Sequence, residues 1–482
     1  MTNPRWRRLW PVCALAVLLV LGLLFVPECD DCYFVFWRFA SWRDWLLTRP
    51  VTQGARVVGV PANGRYLGNF LGVLQAKLYF SPLGPLRGLL LGGALAALVW
   101  LLGKRFAPAN RCEGLSLAFA LVVLAPRGIW QQVYSWGAGL VNYLLPMAGV
   151  LLLARLLERP APSRLGRTGR FLLGLGCCLF MEPVTLWLAL AGTALAVYAL
   201  ARRRPGRGDC LAAALGVWLG TLVMFTAPGY DRVGEDTRAL GLALLGENLH
   251  IVVIETLVRP AALTLVISAL FLFLLKRQGC PRLRLWTVLL GGVHLLYLAD
   301  AAVDLFQVWG LYTHGRLALG CALAALWLIA LWEWRSPARG RVALLALCLC
   351  AVNTPLLVVS PIGPRNAFPG YVLLLLTAAA LYQQAREQGL RPLNWLCRAA
   401  ALAGVLLVCL YGCNCLVYHQ RLTYARQQTA LGAREVTLPL LPFPGWAANE
   451  FPGKGDLSYL VYRETPWDVA FQMVPFDQWQ GK

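Results

Sequence analysis

The chain has 482 residues, 59% of them hydrophobic and only 14% charged, where a soluble domain carries about 25% charged residues. Apolar runs near twenty residues recur throughout, which excludes an ordinary soluble domain and predicts an all-α, polytopic helical membrane protein; the short alternating segments of a membrane barrel are missing. The formal net charge of +21 does not imply a nucleic-acid partner, because the arginines cluster in short loops between apolar runs, as orientation signals do, and no basic tail or basic amphipathic helix is present.

Arg5, Arg7 and Arg8 precede the first run, Trp10–Val26. Pro27-Glu28-Cys29 is a poor small-residue cleavage site, so this run is expected to be an uncleaved first span with a cytoplasmic N-terminus. It delivers residues 27–64 to the outer face as a first extracytoplasmic loop. Trp37, Trp42 and Trp45 there suit a helix lying in the membrane interface. Arg65–Phe80 reads as a further interfacial or half-inserted helix. Leu86–Gly103 returns to Lys104-Arg105 inside, and Glu113–Ala125 with Gly137–Leu157 forms a hairpin closed outside by Pro126–Trp136.

The next inner loop is marked by Arg155, Arg159, Arg164, Arg167 and Arg170. Phe171–Phe180 and Val184–Ala201 then form a hairpin interrupted at Glu182-Pro183, since both flanks are basic. Cys210–Ala227 leads out to a long loop, Pro228–Arg259, with an amphipathic segment of its own, Thr237–Leu257. Ala261–Leu275, Trp286–Ala299, Leu317–Trp334, Val342–Ser360, Tyr371–Ala385 and Ala399–Leu416 complete the set. The reading gives about thirteen spans, a transmembrane domain over 1–416, and a small extracytoplasmic tail over 417–482. No repeat of fixed period is evident, which weakens a transporter built from inverted repeats.

The polar residues of this topology gather on the outer face. Asp30 and Asp31 directly follow the first span. Two adjacent carboxylates near lipid need solvent, cations or a metal. They read either as a catalytic base and metal ligand or as a solvated helix cap, and the aromatic-rich segment behind them favours catalysis. Beside Asn63, Arg56 and Arg65 offer guanidinium groups suited to a lipid-borne phosphate, or snorkelling anchors. Gly64 and Gly68 flank Arg65 and let backbone approach closely. Trp136 is an interface anchor or a sugar-stacking platform, and Asn142 and Tyr143 have the chemistry to bond sugar hydroxyls. Glu182 is an acid at a hairpin apex. Arg232, Arg316 and Arg365 each sit at the outer edge of a span against the positive-inside trend; any one of them is ordinary loop charge, whereas their recurrence on one face points to an anion. Asp300 and Asp304 offer partners for Arg316.

Most of the fifteen cysteines lie within apolar runs and read as small packing residues, and Cys29/Cys32 read as small residues at a helix end. The four histidines form no spaced metal set, and no G-x-S-x-G, P-loop or G-x-G-x-x-G is present. A magnesium or manganese requirement stays open.

Asp30-Asp31-x-x-Phe34, Gly64-Arg65, Trp136-x-x-Gly139 with Asn142-Tyr143, Ala227-Pro228-Gly229 with Arg232, and Arg365 together resemble a family of bacterial polytopic proteins of undefined function. That family is similar to the O-antigen-modifying glucosyltransferases and, more distantly, to the GT-C class of membrane glycosyltransferases. The resemblance implies a GT-C-like fold in the bacterial inner membrane. It implies transfer of a sugar from a polyprenyl-phosphate donor to a glycan or lipid acceptor outside the cytoplasm, with Asp30 or Asp31 as the acid-base group and Arg65 on the donor phosphate. Cys29 and Cys32 depart from the family pattern. The rival readings are a transporter or flippase for a lipid-linked saccharide, a glycan ligase or polymerase, and a structural scaffold. A flippase needs polar groups through the bilayer, whereas here they gather at one face.

Overall fold

The computed structural model describes residues 4–28, 30–35, 37–47, 52–53, 56–57, 63–159, 163–203, 206–228, 230, 239–303, 305–308, 311–391, 394–447, 453–455 and 469–479. The chain is mostly helical, as its apolar runs require. Eight described helices are long and apolar enough to cross a membrane, or up to ten if each of two bent pairs counts as one span. The thirteen expected spans therefore reduce to eight to ten, for two physical reasons. Some apolar runs form helices shorter than the roughly twenty residues a bilayer needs, as Arg164–Cys177 does. Others are broken beside a proline. Arg111–Val123 meets Arg127–Tyr134 at 89°, and Leu242–Val258 meets Ala261–Arg277 at 65°, with Pro126 and Pro260 at the bends.

Pro364–Glu387 lies at the centre of the bundle, buried without interruption from Ala367 to Leu375. It packs on Arg339–Asn353, Ala261–Arg277 and Gly84–Phe106. Its Tyr371 hydroxyl donates to the Leu121 carbonyl at 2.5 Å, and Tyr382 donates to Glu113 at 2.5 Å. The N-terminal helix Pro4–Leu24 lies against Gly84–Phe106.

Among the described residues of the first loop, Trp42 and Trp45 share a helix, whereas Trp37 lies in a strand. The loop holds a short helix, Asp30–Phe34, and another, Trp42–Leu46, started by Ser41, whose hydroxyl accepts the Asp44 N–H at 3.1 Å. Between and after them runs a three-stranded antiparallel sheet of two-residue strands, Trp37–Arg38, Thr52–Gln53 and Arg56–Val57. Phe34, Trp37, Phe39, Trp45 and Phe70 form a chain of ring contacts that ties the loop to the Tyr66–Tyr79 helix. Trp42, expected at the interface, is 77% exposed. Lys77 adds two bonds, to the carbonyls of Val35 and Trp37 at 3.1 and 2.9 Å.

The last helix, Asn394–Ala430, runs through residue 416 without a break, so the tail is rooted in it. Glu435–Pro439 pairs in parallel with Ala470–Val474, which pairs antiparallel with Gly453–Gly455. This sheet shares a core with the last helix and with Val26 and Cys32, placing the tail beside the first loop. The tail and loop thus add small sheets to a chain expected to be all-α.

Candidate functional site

The two adjacent aspartates, equivalent in sequence, are opposite in structure. Asp31 is fully buried and every side of its carboxylate is engaged. Oδ1 accepts from Gln75 Nε2 at 2.6 Å and from the Ala138 N–H at 2.8 Å. Oδ2 accepts from the Gly137 N–H at 3.0 Å and from Arg87 Nη2 at 3.4 Å. The two N–H groups are the start of the helical segment beginning at Gly137, where free amides and the helix dipole favour an anion. Burial raises the Asp31 pKa to about 6, opposed by Arg87, the Ala138 amide, the Gln75 side chain and the Gly137 amide. The group is still mostly ionised at neutral pH. Gly137 is required here: a Cβ on it would fall 2.3 Å from Gln75 Oε1, displacing the side chain that holds Asp31.

Arg87 is 1% exposed and completes the knot. Its Nε donates to Gln75 Oε1 at 2.8 Å and its Nη1 to the Phe25 carbonyl at 2.6 Å, with the Tyr79 ring 5.0 Å away. Four segments are thereby fastened at one point: the end of the first helix, the Asp30–Phe34 turn, the Tyr66–Tyr79 helix and the Trp136–Gly139 turn. Arg87 and Gln75 escaped the sequence reading. The signal was there for Arg87, an arginine one residue inside an apolar run, where a charge needs a partner; nothing marked Gln75.

Asp30, one residue earlier on the same short helix, points the other way and is exposed. Protein atoms still crowd its open carboxyl, and that crowding raises its pKa; Arg365, then Arg65, pull it back down. Asp30 is therefore an accessible carboxyl with the charges of two guanidinium groups acting on it.

These two arginines differ. Arg65 is engaged by Glu182: its Nε reaches Oε1 and Oε2 at 3.0 and 3.1 Å, and its Nη2 reaches Oε2 at 2.7 Å. Tyr230 donates to Glu182 Oε1 at 2.8 Å, a partner the sequence reading did not name. Tyr143 is buried within electrostatic reach of Arg65. The pair is placed by backbone bonds: the Leu67 and Gly68 N–H groups both donate to the Leu179 carbonyl, at 3.1 and 3.3 Å, just before Glu182 opens its helix. Arg365, in the first turn of the central helix, forms no ion pair among the described residues and lies over the Trp136 ring at 5.5 Å.

The remaining predicted residues divide three ways. Trp136 is 6% exposed; covered by Arg365, its ring is a support for that guanidinium and offers no open stacking face. Asn142 is buried, donates to the Ala138 carbonyl at 2.9 Å, and has its Oδ1 without a partner, pressed against Gly68. Asn63 accepts from Asn69 at 2.8 Å beside Arg65. Arg316 is drawn into a separate cluster, with Nε 2.5 Å from Asp300 Oδ2, while Asp300 Oδ1 accepts the Phe306 N–H at 3.2 Å. The Arg56 side chain, Cys29, Asp304 and Arg232 lie outside the described residues. Cys32 is buried in the core shared by the tail and the first loop, as a packing residue.

Among the described residues no three of His, Cys, Asp and Glu converge as metal ligands. The donor set at the site fits a divalent cation poorly: Asp31 and Glu182 are already saturated, and Asp30 faces arginines. The arrangement fits an anion better, one that would lie against Asp30 and receive charge-assisted bonds from Arg365 and, on its free side, Arg65. No protein-family model matches the chain, and no curated protein is significantly similar to it.

Proposed function

We propose that the chain is a membrane glycosyltransferase of GT-C-like architecture. It moves a sugar from a polyprenyl-phosphate donor to a glycan or lipid acceptor at the extracytoplasmic face of the bacterial inner membrane. The observation that carries this reading is the division of labour between the aspartates: Asp31 is locked in a structural knot, while Asp30 beside it is exposed and under the charge of Arg365, which forms no ion pair among the described residues.

In this mechanism Asp30 accepts the proton of the acceptor hydroxyl as its oxygen bonds to the anomeric carbon. The bond from that carbon to the phosphate oxygen breaks on the opposite face, giving inversion, and the phosphate leaves with the electron pair. Arg365 stabilises the charge that develops there, with Arg65 as a second donor held in place by Glu182 and Tyr230. Charge stabilisation comes from guanidinium groups, in keeping with the poor fit of the site to a divalent cation. The lipid tails of donor and acceptor hold both substrates at one depth, replacing a three-dimensional search by a confined one.

The test is a mass comparison of envelope glycolipids between a deletion strain, its parent and strains complemented with Asp30→Asn. A sugar-sized mass lost on deletion, restored by the parent chain and not by D30N at equal protein level, supports the reading. An unchanged glycolipid profile on deletion, or full restoration by D30N, overturns it.

A further inference from the structure

A cavity of about 1100 Å³ opens at the end of the bundle remote from Asp30. Gly84–Phe106 connects the two: Arg87 joins the Asp31 knot near its start, and Lys104 lies seventeen residues on, about 26 Å along a helix axis at about 1.5 Å per residue. The lining has two parts. Leu115, Leu151, Leu345, Leu376, Ala379 and Ala380 form an apolar wall, and cationic side chains contributed by several helices form the rim.

Charge balance separates this rim from an ordinary basic loop. Glu158 is the single carboxylate in the lining, and Arg105 occupies it. Lys104, Arg111, Arg155, Arg159 and Arg341 make no ion pair among the described residues. Lys104 lies over the Trp100 ring at 3.6 Å. Arg170 is 5% exposed. It spends its Nη atoms on the carbonyls of Gly166, Leu156 and Arg159, at 3.1, 2.7 and 2.8 Å, and its Nε has no hydrogen-bond partner among the described residues. Like charges gathered around one cavity call for an anion. The apolar wall behind them calls for a ligand with a hydrocarbon part, and Trp100, 41% exposed beside the mouth, is the aromatic residue usual at a lipid headgroup.

We infer that this cavity binds an anionic phosphate-bearing lipid, its headgroup held by Arg155, Arg341 and Lys104 and its chain against Leu115, Leu151 and Leu376. Basic pockets between membrane helices take such headgroups, and each cation contributes separately. The site is independent of the reaction proposed at Asp30.

Native mass spectrometry of the whole protein in detergent tests it, with phosphatidylglycerol, phosphatidylethanolamine and inorganic phosphate as separate probes. Phosphatidylglycerol is expected to bind in preference to phosphatidylethanolamine, and inorganic phosphate at equal concentration is expected not to displace it. The variant Arg155→Gln with Arg341→Gln should bind phosphatidylglycerol roughly ten- to thirtyfold more weakly. Arg202→Gln, a charge outside the cavity lining, should bind as the parent does. Should the double variant fail to fold, Arg111→Gln with Arg159→Gln, both exposed, gives the same reading. Unaltered phosphatidylglycerol binding in a folded double variant, equal loss in R202Q, or no preference over phosphatidylethanolamine overturns the inference. Displacement by inorganic phosphate overturns the lipid assignment in favour of a soluble phosphate.

Discussion

Replacing Asp31 by Asn should unfold the protein's first loop, whereas the same change at Asp30 should leave the fold untouched. The magnitude follows from the knot. Asp31 accepts four bonds, from Gln75, two backbone amides and Arg87. An asparagine keeps one acceptor oxygen and turns an NH₂ toward a backbone N–H or Arg87, so one donor faces another and Arg87, 1% exposed, loses its counter-charge. Removing one partner of a buried ion pair costs about 3–5 kcal/mol. Removing both partners is far milder, because no charge is stranded. Asp31→Asn combined with Arg87→Met should therefore recover much of the loss seen in either single variant, a coupling on the order of 1–3 kcal/mol in a double-mutant cycle. The assay is thermal unfolding of the purified protein in one detergent, followed through a fluorophore on the first loop. Asp30→Asn should fall within about 0.5 kcal/mol of the parent, as exposed substitutions do. Asp31→Asn as stable as Asp30→Asn, or strictly additive losses in the double variant, would refute the structural role given to Asp31.

Three further outcomes are expected. Arg365→Ala should lower transfer by roughly 10²–10³-fold, the usual cost of one donor to a developing anion, with unfolding temperature unchanged; near-normal transfer would remove Arg365 from the site. Transfer should fall with acidity, since Asp30 must be ionised to take a proton and its raised pKa places that limb above the ordinary carboxylate range near 4. Arg365 holds that pKa down, so residual activity in Arg365→Ala should show the limb at still higher pH; a limb that stays put or moves down in a pH–rate profile would contradict this. Gly64→Ala should destabilise by about 1–3 kcal/mol, the range for overpacking, because its Cβ would lie 2.0 Å from the Met224 carbonyl oxygen; wild-type stability in an unfolding assay would argue against that close approach beside Arg65.

That the chain would form many long apolar helices able to cross a membrane was legible from composition alone. The number of spans was not. Hydropathy counts runs, and it cannot see that a helix ends early, as Arg164–Cys177 does, or bends sharply beside Pro126 or Pro260. At the site, the cost of charge near lipid singled out the Asp30-Asp31 stretch, and it singled out Arg65 and Glu182, which the structure pairs, and Arg365. It could not tell Asp30 from Asp31. That distinction rests on which way a five-residue helix faces, and so on Gly137, Ala138 and Gln75, whose contacts with Asp31 span 44 to 107 positions of sequence. Arg316 was drawn in by its place at a span edge, but it pairs locally with Asp300. The basic cavity went unread because each of its arginines, taken singly, is an ordinary orientation signal.

The most direct measurement is sugar transfer from a radiolabelled polyprenyl-phosphate donor by purified parent and Asp30→Asn protein at matched, folded concentration. The account predicts ready transfer by the parent and at least a hundredfold loss with Asp30→Asn. Transfer by Asp30→Asn at the parent's rate, or none by the parent with any such donor, would contradict it.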